Sequence, residues 1–251
     1  MTGAARPCYP GRVCTVVLLS RPETDWPLLL AANRDEKLER AWEPPGEHWA
    51  DRPGLIGGMD HAGRGTWLAF NRDGVVAAVL NRSLSLGPAE GKRSRGELPL
   101  IALEYSSAGD AASALLGLDA GQWRPFNLVV ADRNRACFVR GLGSGRPQAM
   151  KLAPGLHMVT AHDPDDMTSP RVARHLPRFR AAAPPVPPDW GAWRTILADR
   201  DGPAGSEINV PLLGGFGTVC ASLIGLPRAG APHVLFAPGP PDQASFRPVP
   251  G

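Results

Sequence analysis

Cysteine is sparse in this chain and lysine nearly absent. Cys8, Cys14, Cys137 and Cys220 lie far apart and form no CxxC pair. That excludes a zinc finger, a thioredoxin-type motif and a CxxCH haem attachment. Of the 27 basic residues only Lys37, Lys92 and Lys151 are lysine. The excess of Arg, Ala, Gly and Pro fits a GC-rich coding bias. The basic residues are interleaved with acids and the net charge is only +3, so no stripe for nucleic acid emerges. No apolar run reaches the roughly 18 residues of a membrane span, and the first twelve residues lack an apolar signal core. No GxxxxGK[ST] loop is present, so Gly57-Gly58 and Gly214-Gly215 are not phosphate loops. The acidic run 163–166 lacks the Gly and distal Glu of a calcium loop. These absences lead us to expect a cytoplasmic protein with reduced thiols, no metal and no cofactor. They are silent on oligomeric state.

What is present suits one large domain: 251 residues, 43% of them hydrophobic and 20% charged. Apolar runs at 14–19 and 28–32 flank a loop holding two prolines, and predict a hairpin. Pairing around Glu23 and Thr24 sets Cys14 opposite Asn33 and crowds a thiol, a guanidinium and two carboxylates at one end. Such a cluster adds little stability, so a chemical use is the better explanation. Residues 37–61, broken by Pro44, Pro45, Pro53 and Gly57-Gly58, read as a loop. An Asp73-Gly74 turn between apolar runs predicts a second hairpin ending at Asn81. Residues 98–118 read as two helices broken near Gly109. The first starts better at Gly96 than at the Ser94 capping box, because Pro99 must lie in the first turn. Strands are expected at 126–131, 136–140, 149–152, 156–161, 217–225 and 233–236, and helices at 171–182 and 190–199. Hairpins and helix pairs dominate, so the fold is α+β with mostly antiparallel sheets covered by helices. Residues 1–13 read as a disordered extension or a mis-called start, 14–240 as a single domain and 241–251 as a tail. Cys137 and Cys220 read as core, and Trp42, Trp49 and Trp67 as pocket lining or core packing.

Asn33-Arg34-Asp35-Glu36 resembles the signature of the NRDE family, also called the transport and Golgi organization 2 family. Cys14-Thr15-Val16 resembles its opening run. Residues 65–71 with Gly74, then Leu80-Asn81-Arg82, resemble its second hairpin. Ser94-Arg95-Gly96, Phe126-Asn127-Leu128 and Phe216-Gly217-Thr218 continue the match in order. The family usually carries a basic residue after that last Gly-Thr, where this chain has Val219. The resemblance implies a four-layer αββα sandwich like that of N-terminal nucleophile (Ntn) hydrolases. It implies Cys14 as nucleophile, activated by its own α-amine and by Arg34, with Asp35 orienting the amine. Asn81 and Asn127 are the expected oxyanion donors, and Asn33, Glu36, Trp67 and Arg82 the expected substrate contacts. The implied activity is amide hydrolysis or acyl transfer on a small acylated substrate. The alternative is a non-catalytic carrier of haem, lipid or acyl-CoA. Either the amine is freed by initiation at Val13, a codon that GTG supplies, or the chain cleaves itself between Val13 and Cys14.

Overall fold

β1 (Thr15–Ser20) and β2 (Leu28–Lys37) form the expected antiparallel hairpin in the computed structural model, which describes residues 13–249. The extension foreseen before Val13 lies outside the described residues. The register is one residue away from expectation: Thr15, not Cys14, faces Asn33. The loop is the cause. Ser20 pairs with Leu28, so residues 21–27, odd in number, close around Thr24. The Thr24 hydroxyl donates to the carbonyls of Arg21 and Trp26, each at 3.0 Å. The Arg21 N–H reaches the Pro27 carbonyl at 2.7 Å. A slip of one residue changes which pairs share a face, and the site below depends on it.

Two strands occupy the stretch expected as a loop: β3 (Trp42–Gly46) and β4 (Ile56–Asp60). Prolines hid β3, which tolerates Pro44 and Pro45 because it is an edge strand with an irregularity between Glu43 and Gly46. Glycines hid β4. A Cβ on Gly57 would meet the Ala69 Cβ at 2.4 Å, and one on Gly58 would meet the Trp67 ring at 2.1 Å. β5 (Leu68–Phe70) and β6 (Val76–Asn81) form the second hairpin, turning at Gly74 with φ +80°. The Asn71 side-chain Oδ1 accepts from the Val75 N–H and fixes that turn.

α1 (Glu97–Ala102) is capped at Gly96, with Pro99 in its first turn as required. α2 (Ala108–Leu115) is capped by Ser107 and contains Gly109, so the break falls before Ser107 and not at the glycine. β7 (Phe126–Ala131), β8 (Ala136–Gly141), β9 (Gln148–Leu152) and β10 (Gly155–Val159) follow. Then come α3 (Pro170–Ala181), α4 (Ala192–Leu197), β11 (Phe216–Leu226) and β12 (His233–Ala237). The expected tail adds a short strand, β13 (Arg247–Pro248), paired with β12.

One sheet runs β10-β1-β2-β11-β12-β13 and the other β3-β4-β5-β6-β7-β8-β9, with every pairing antiparallel. Alternation builds three apolar layers. Val16, Leu18, Leu30 and Ala32 meet Phe70, Val129 and Phe138 between the sheets. Val17, Leu19, Leu29 and Ala31 meet Val172, Phe179 and Trp193 of α3 and α4. Ala77, Leu128 and Val130 meet Leu98, Ala111 and Leu115 of α1 and α2. The result is the αββα sandwich. Each buried Leu or Phe in it contributes about 1.5–3 kcal/mol. Among the described residues no helix is long and apolar enough to cross a membrane.

Candidate active site

The end of β2 divides its four signature residues between two faces. Asn33 and Asp35 point with Ala31 toward the helix layer, and Arg34 and Glu36 point with Ala32 toward the space between the sheets. Cys14 precedes β1, packs against the inter-sheet core, and is only partly buried. The corrected register therefore gives the thiol Arg34, not Asn33, as its neighbour across the hairpin. On the other side of Arg34, β11 sets Cys220 opposite it.

The Asn33 amide donates to the carbonyls of Leu197 and Ile208, both at 2.9 Å. It ties β2 to the helix layer and does not border the larger cleft described below. The Asp35 carboxylate is fully buried. One oxygen accepts from the Thr218 hydroxyl at 2.6 Å and the other from Arg171 Nη1 at 3.0 Å. The same Arg171 nitrogen donates to the Thr15 hydroxyl at 2.9 Å and to the Val13 carbonyl. Arg171 thus grips both the backbone entering Cys14 and the carboxylate behind it, a residue that sequence reasoning missed. Its one signal was position. Arg171 follows Ser169-Pro170 in the first turn of α3, where the helix dipole disfavours a cation unless a buried anion holds it.

Cys14 and Arg34 border a cleft of about 450 Å³ between the sheets. Asp35, Glu36, Trp67 and Asn81 border it too. The Arg34 guanidinium lies over the Trp67 ring at 4.3 Å, an attractive cation–π contact. Its Nη2 stands 3.9 Å from Glu36, while its buried Nη1 has no hydrogen-bond partner among the described residues. Glu36 also pairs with Arg40 at 3.6 Å.

Asn127 and Arg82 are not brought to the cleft. The fully buried Asn127 amide donates to the carbonyls of Thr160 at 2.8 Å and His162 at 2.6 Å, and its oxygen accepts from Arg82 Nη1 at 2.6 Å. Arg82 Nη1 reaches Asp163 at 2.8 Å, and Asp163 also binds Arg140. With both its protons already donated, Asn127 has none left for an oxyanion. Val219 sits at the irregularity between Thr218 and Cys220 and packs with Cys220 and Phe236. Cys137 and Cys220 are buried, as expected.

The thiol itself departs from expectation. Burial pushes Cys14 up to about 11, the Asp35 charge adds to the rise, and the Asp35 carbonyl and Arg34 oppose it without prevailing. The Asp35 carbonyl accepts from Sγ at 3.7 Å. Burial lifts Asp35 to about 6 against the pull of Arg171 and Thr218. Among the described residues no histidine borders the cleft, and no group of three His, Cys, Asp or Glu is placed to hold a metal ion.

The sequence profile of the family described as Transport and Golgi organisation 2 matches residues 13–183, well over half the chain. The chain belongs to the Transport and Golgi organisation 2 family. None of the curated proteins compared is similar enough to match. Among solved structures, the chain resembles the Caenorhabditis elegans ortholog of N-acylethanolamine-hydrolyzing acid amidase. The TM-score is 0.55 at 10% identity, over 84% of this chain and 92% of that one. It also resembles a mutant of the conjugated bile acid hydrolase from Clostridium perfringens. There the TM-score is 0.51 at 11% identity, over 95% of this chain and 97% of that one. At such identity the likeness establishes the Ntn-hydrolase-like sandwich and nothing finer.

Proposed function

We propose that this chain is a cysteine-dependent amidohydrolase or acyltransferase of the N-terminal nucleophile type. Its substrate is a small acylated compound. The observation that carries the reading is Cys14 itself, which leads into the first strand of this fold and borders a cleft beside Arg34. The similar structures are an acid amidase and a conjugated bile acid hydrolase, and their chemistry is the source of the substrate class.

The raised thiol defines what the mechanism needs. At about 11, only roughly one thiol in ten thousand is ionised at neutral pH. A base must take its proton. The α-amine of Cys14, freed by removal of whatever precedes it, titrates at about 7.7–8.0 and suits that task. It accepts the proton as sulfur attacks the acyl carbonyl carbon. In this reading the Asn81 amide and the Arg34 guanidinium, both bordering the cleft, donate to the oxyanion. Collapse breaks the carbonyl carbon–nitrogen bond. The leaving amine takes the proton back from the ammonium and leaves a thioester on Cys14. Water, or an acceptor amine, then attacks the thioester with the same α-amine as base, and the thiol is restored.

Turnover of a panel of small N-acyl amides tests the reading. Cys14→Ala is expected to lose at least about a thousandfold in kcat/KM. Equal turnover by Cys14→Ala and the parent chain would refute it.

A further inference from the structure

The cleft that Cys14 borders also carries basic residues with no ion-paired carboxylate. Arg34, Arg40 and Arg93 each have a carboxylate: Glu36 at 3.9 Å, Asp60 at 2.5 Å and Glu97 at 2.5 Å. Lys92, Arg95 and Arg124 have none among the described residues. Arg95 Nη1 donates to the Ser85 carbonyl at 2.7 Å, the Ser85 hydroxyl at 3.0 Å and the Pro125 carbonyl at 3.1 Å, and its Nη2 donates to the Gly87 carbonyl at 3.2 Å. Arg124 donates to the carbonyls of Leu86 at 2.6 Å, Gly87 at 3.2 Å, Pro88 at 3.3 Å and Leu84 at 3.1 Å. Lys92 donates to the Gly121 carbonyl.

Both guanidiniums therefore reach one oxygen, that of Gly87. Two like charges sharing a neutral acceptor repel, and more strongly where the wall is desolvated. Burial and the Arg124 charge hold Arg95 down at about 10, well below an ordinary guanidinium. Carbonyl oxygens alone do not call for this arrangement, since neutral amides anchor a loop without the repulsion. An oxyanion relieves it, because a guanidinium fork matches carboxylate and phosphate geometry. Six basic residues border the cleft against three acidic ones, so its field also draws anions in.

We infer that Arg95, Arg124 and Lys92 form an oxyanion subsite of this cleft, and that the acylated substrate carries a carboxylate or phosphate in addition to the acyl group that Cys14 attacks. The word substrate rests on the proposed function; the binding does not.

Calorimetric titration of the full chain at low ionic strength tests this, with pyrophosphate and glutarate as probes. At least one is expected to bind at one site per chain. Arg124→Gln, which keeps an amide donor for the loop, is expected to raise Kd about tenfold or more. Lys151→Gln, the same charge change on exposed β9, is expected to leave it within about twofold. Binding of pyrophosphate alone assigns a phosphorylated substrate, of glutarate alone a carboxylate, and of both a general oxyanion site. If Arg124→Gln does not fold, the exposed Lys92→Gln replaces it, with an expected loss of about threefold. Failure of both probes to bind the parent chain, or losses no greater than in Lys151→Gln, would overturn the inference. Cys14→Ser is expected to bind the anion unchanged, so a failed nucleophile and a failed subsite give different results.

Discussion

The reactivity of Cys14 is a contest between burial and charge, and burial wins. Arg34 pulls the thiol down, as an adjacent guanidinium must, yet the net result is a rise to about 11. With residues still attached ahead of Cys14, alkylation by iodoacetamide is expected to climb through pH 8–11 without a plateau, because thiolate is the reacting form. A plateau near neutrality would mean that Arg34 controls the thiol. Asp35 gives a second test. Its carboxyl is raised from 3.8 to about 6 in the folded chain. The stability it contributes is therefore present below about 4 and lost as pH rises through about 6. Arg171→Ala leaves a buried carboxylate without its cation and is expected to cost about 3–5 kcal/mol at neutral pH. Denaturant unfolding should show that deficit shrinking as pH falls toward 6, where the parent's Asp35 also takes up its proton. A pH-independent deficit would assign Arg171 a packing role instead. The pairing was not legible in the sequence, because 136 residues separate the partners and only the sandwich brings them together.

At the scale of elements, alternation along β2 decides which signature residues face solvent chemistry. The strand was legible from its apolar run, and so was its partner. The register was not, because it turns on the hydroxyl of Thr24 centring an odd loop. One residue of slip assigns Asn33 to structure and Arg34 to the cleft. Asn33→Ala is accordingly expected to lose about 1–3 kcal/mol of stability with Cys14 alkylation unchanged; altered alkylation in a folded variant would place Asn33 in the site. β3 and β4 were illegible for a related reason. Their prolines and glycines mimic a loop, while edge position and close packing against Trp67 and Ala69 require them. Gly58→Ala pushes a methyl into the Trp67 ring, which supports Arg34. We expect a loss of about 1–3 kcal/mol from that overpacking, read as a lower Tm together with a change in tryptophan emission. An unchanged Tm would show that the indole moves away freely.

Across the whole molecule, the two sheets share an apolar core and diverge into the cleft, with Cys14 and Arg34 from one sheet facing Trp67 and Asn81 from the other. Layer order was legible because hairpins and helix pairs alternate with the right periods. The charge balance of the cleft was not, since Arg95 and Arg124 come from separate loops that only the fold brings together. The proposed mechanism requires a working form that begins at Cys14, with a bare amine to take the proton of a thiol raised to about 11. The intact mass of the protein purified from its own host measures this directly. A mass corresponding to a chain that starts at Cys14 is expected, and an active preparation that retains residues 1–13 would contradict the proposed mechanism.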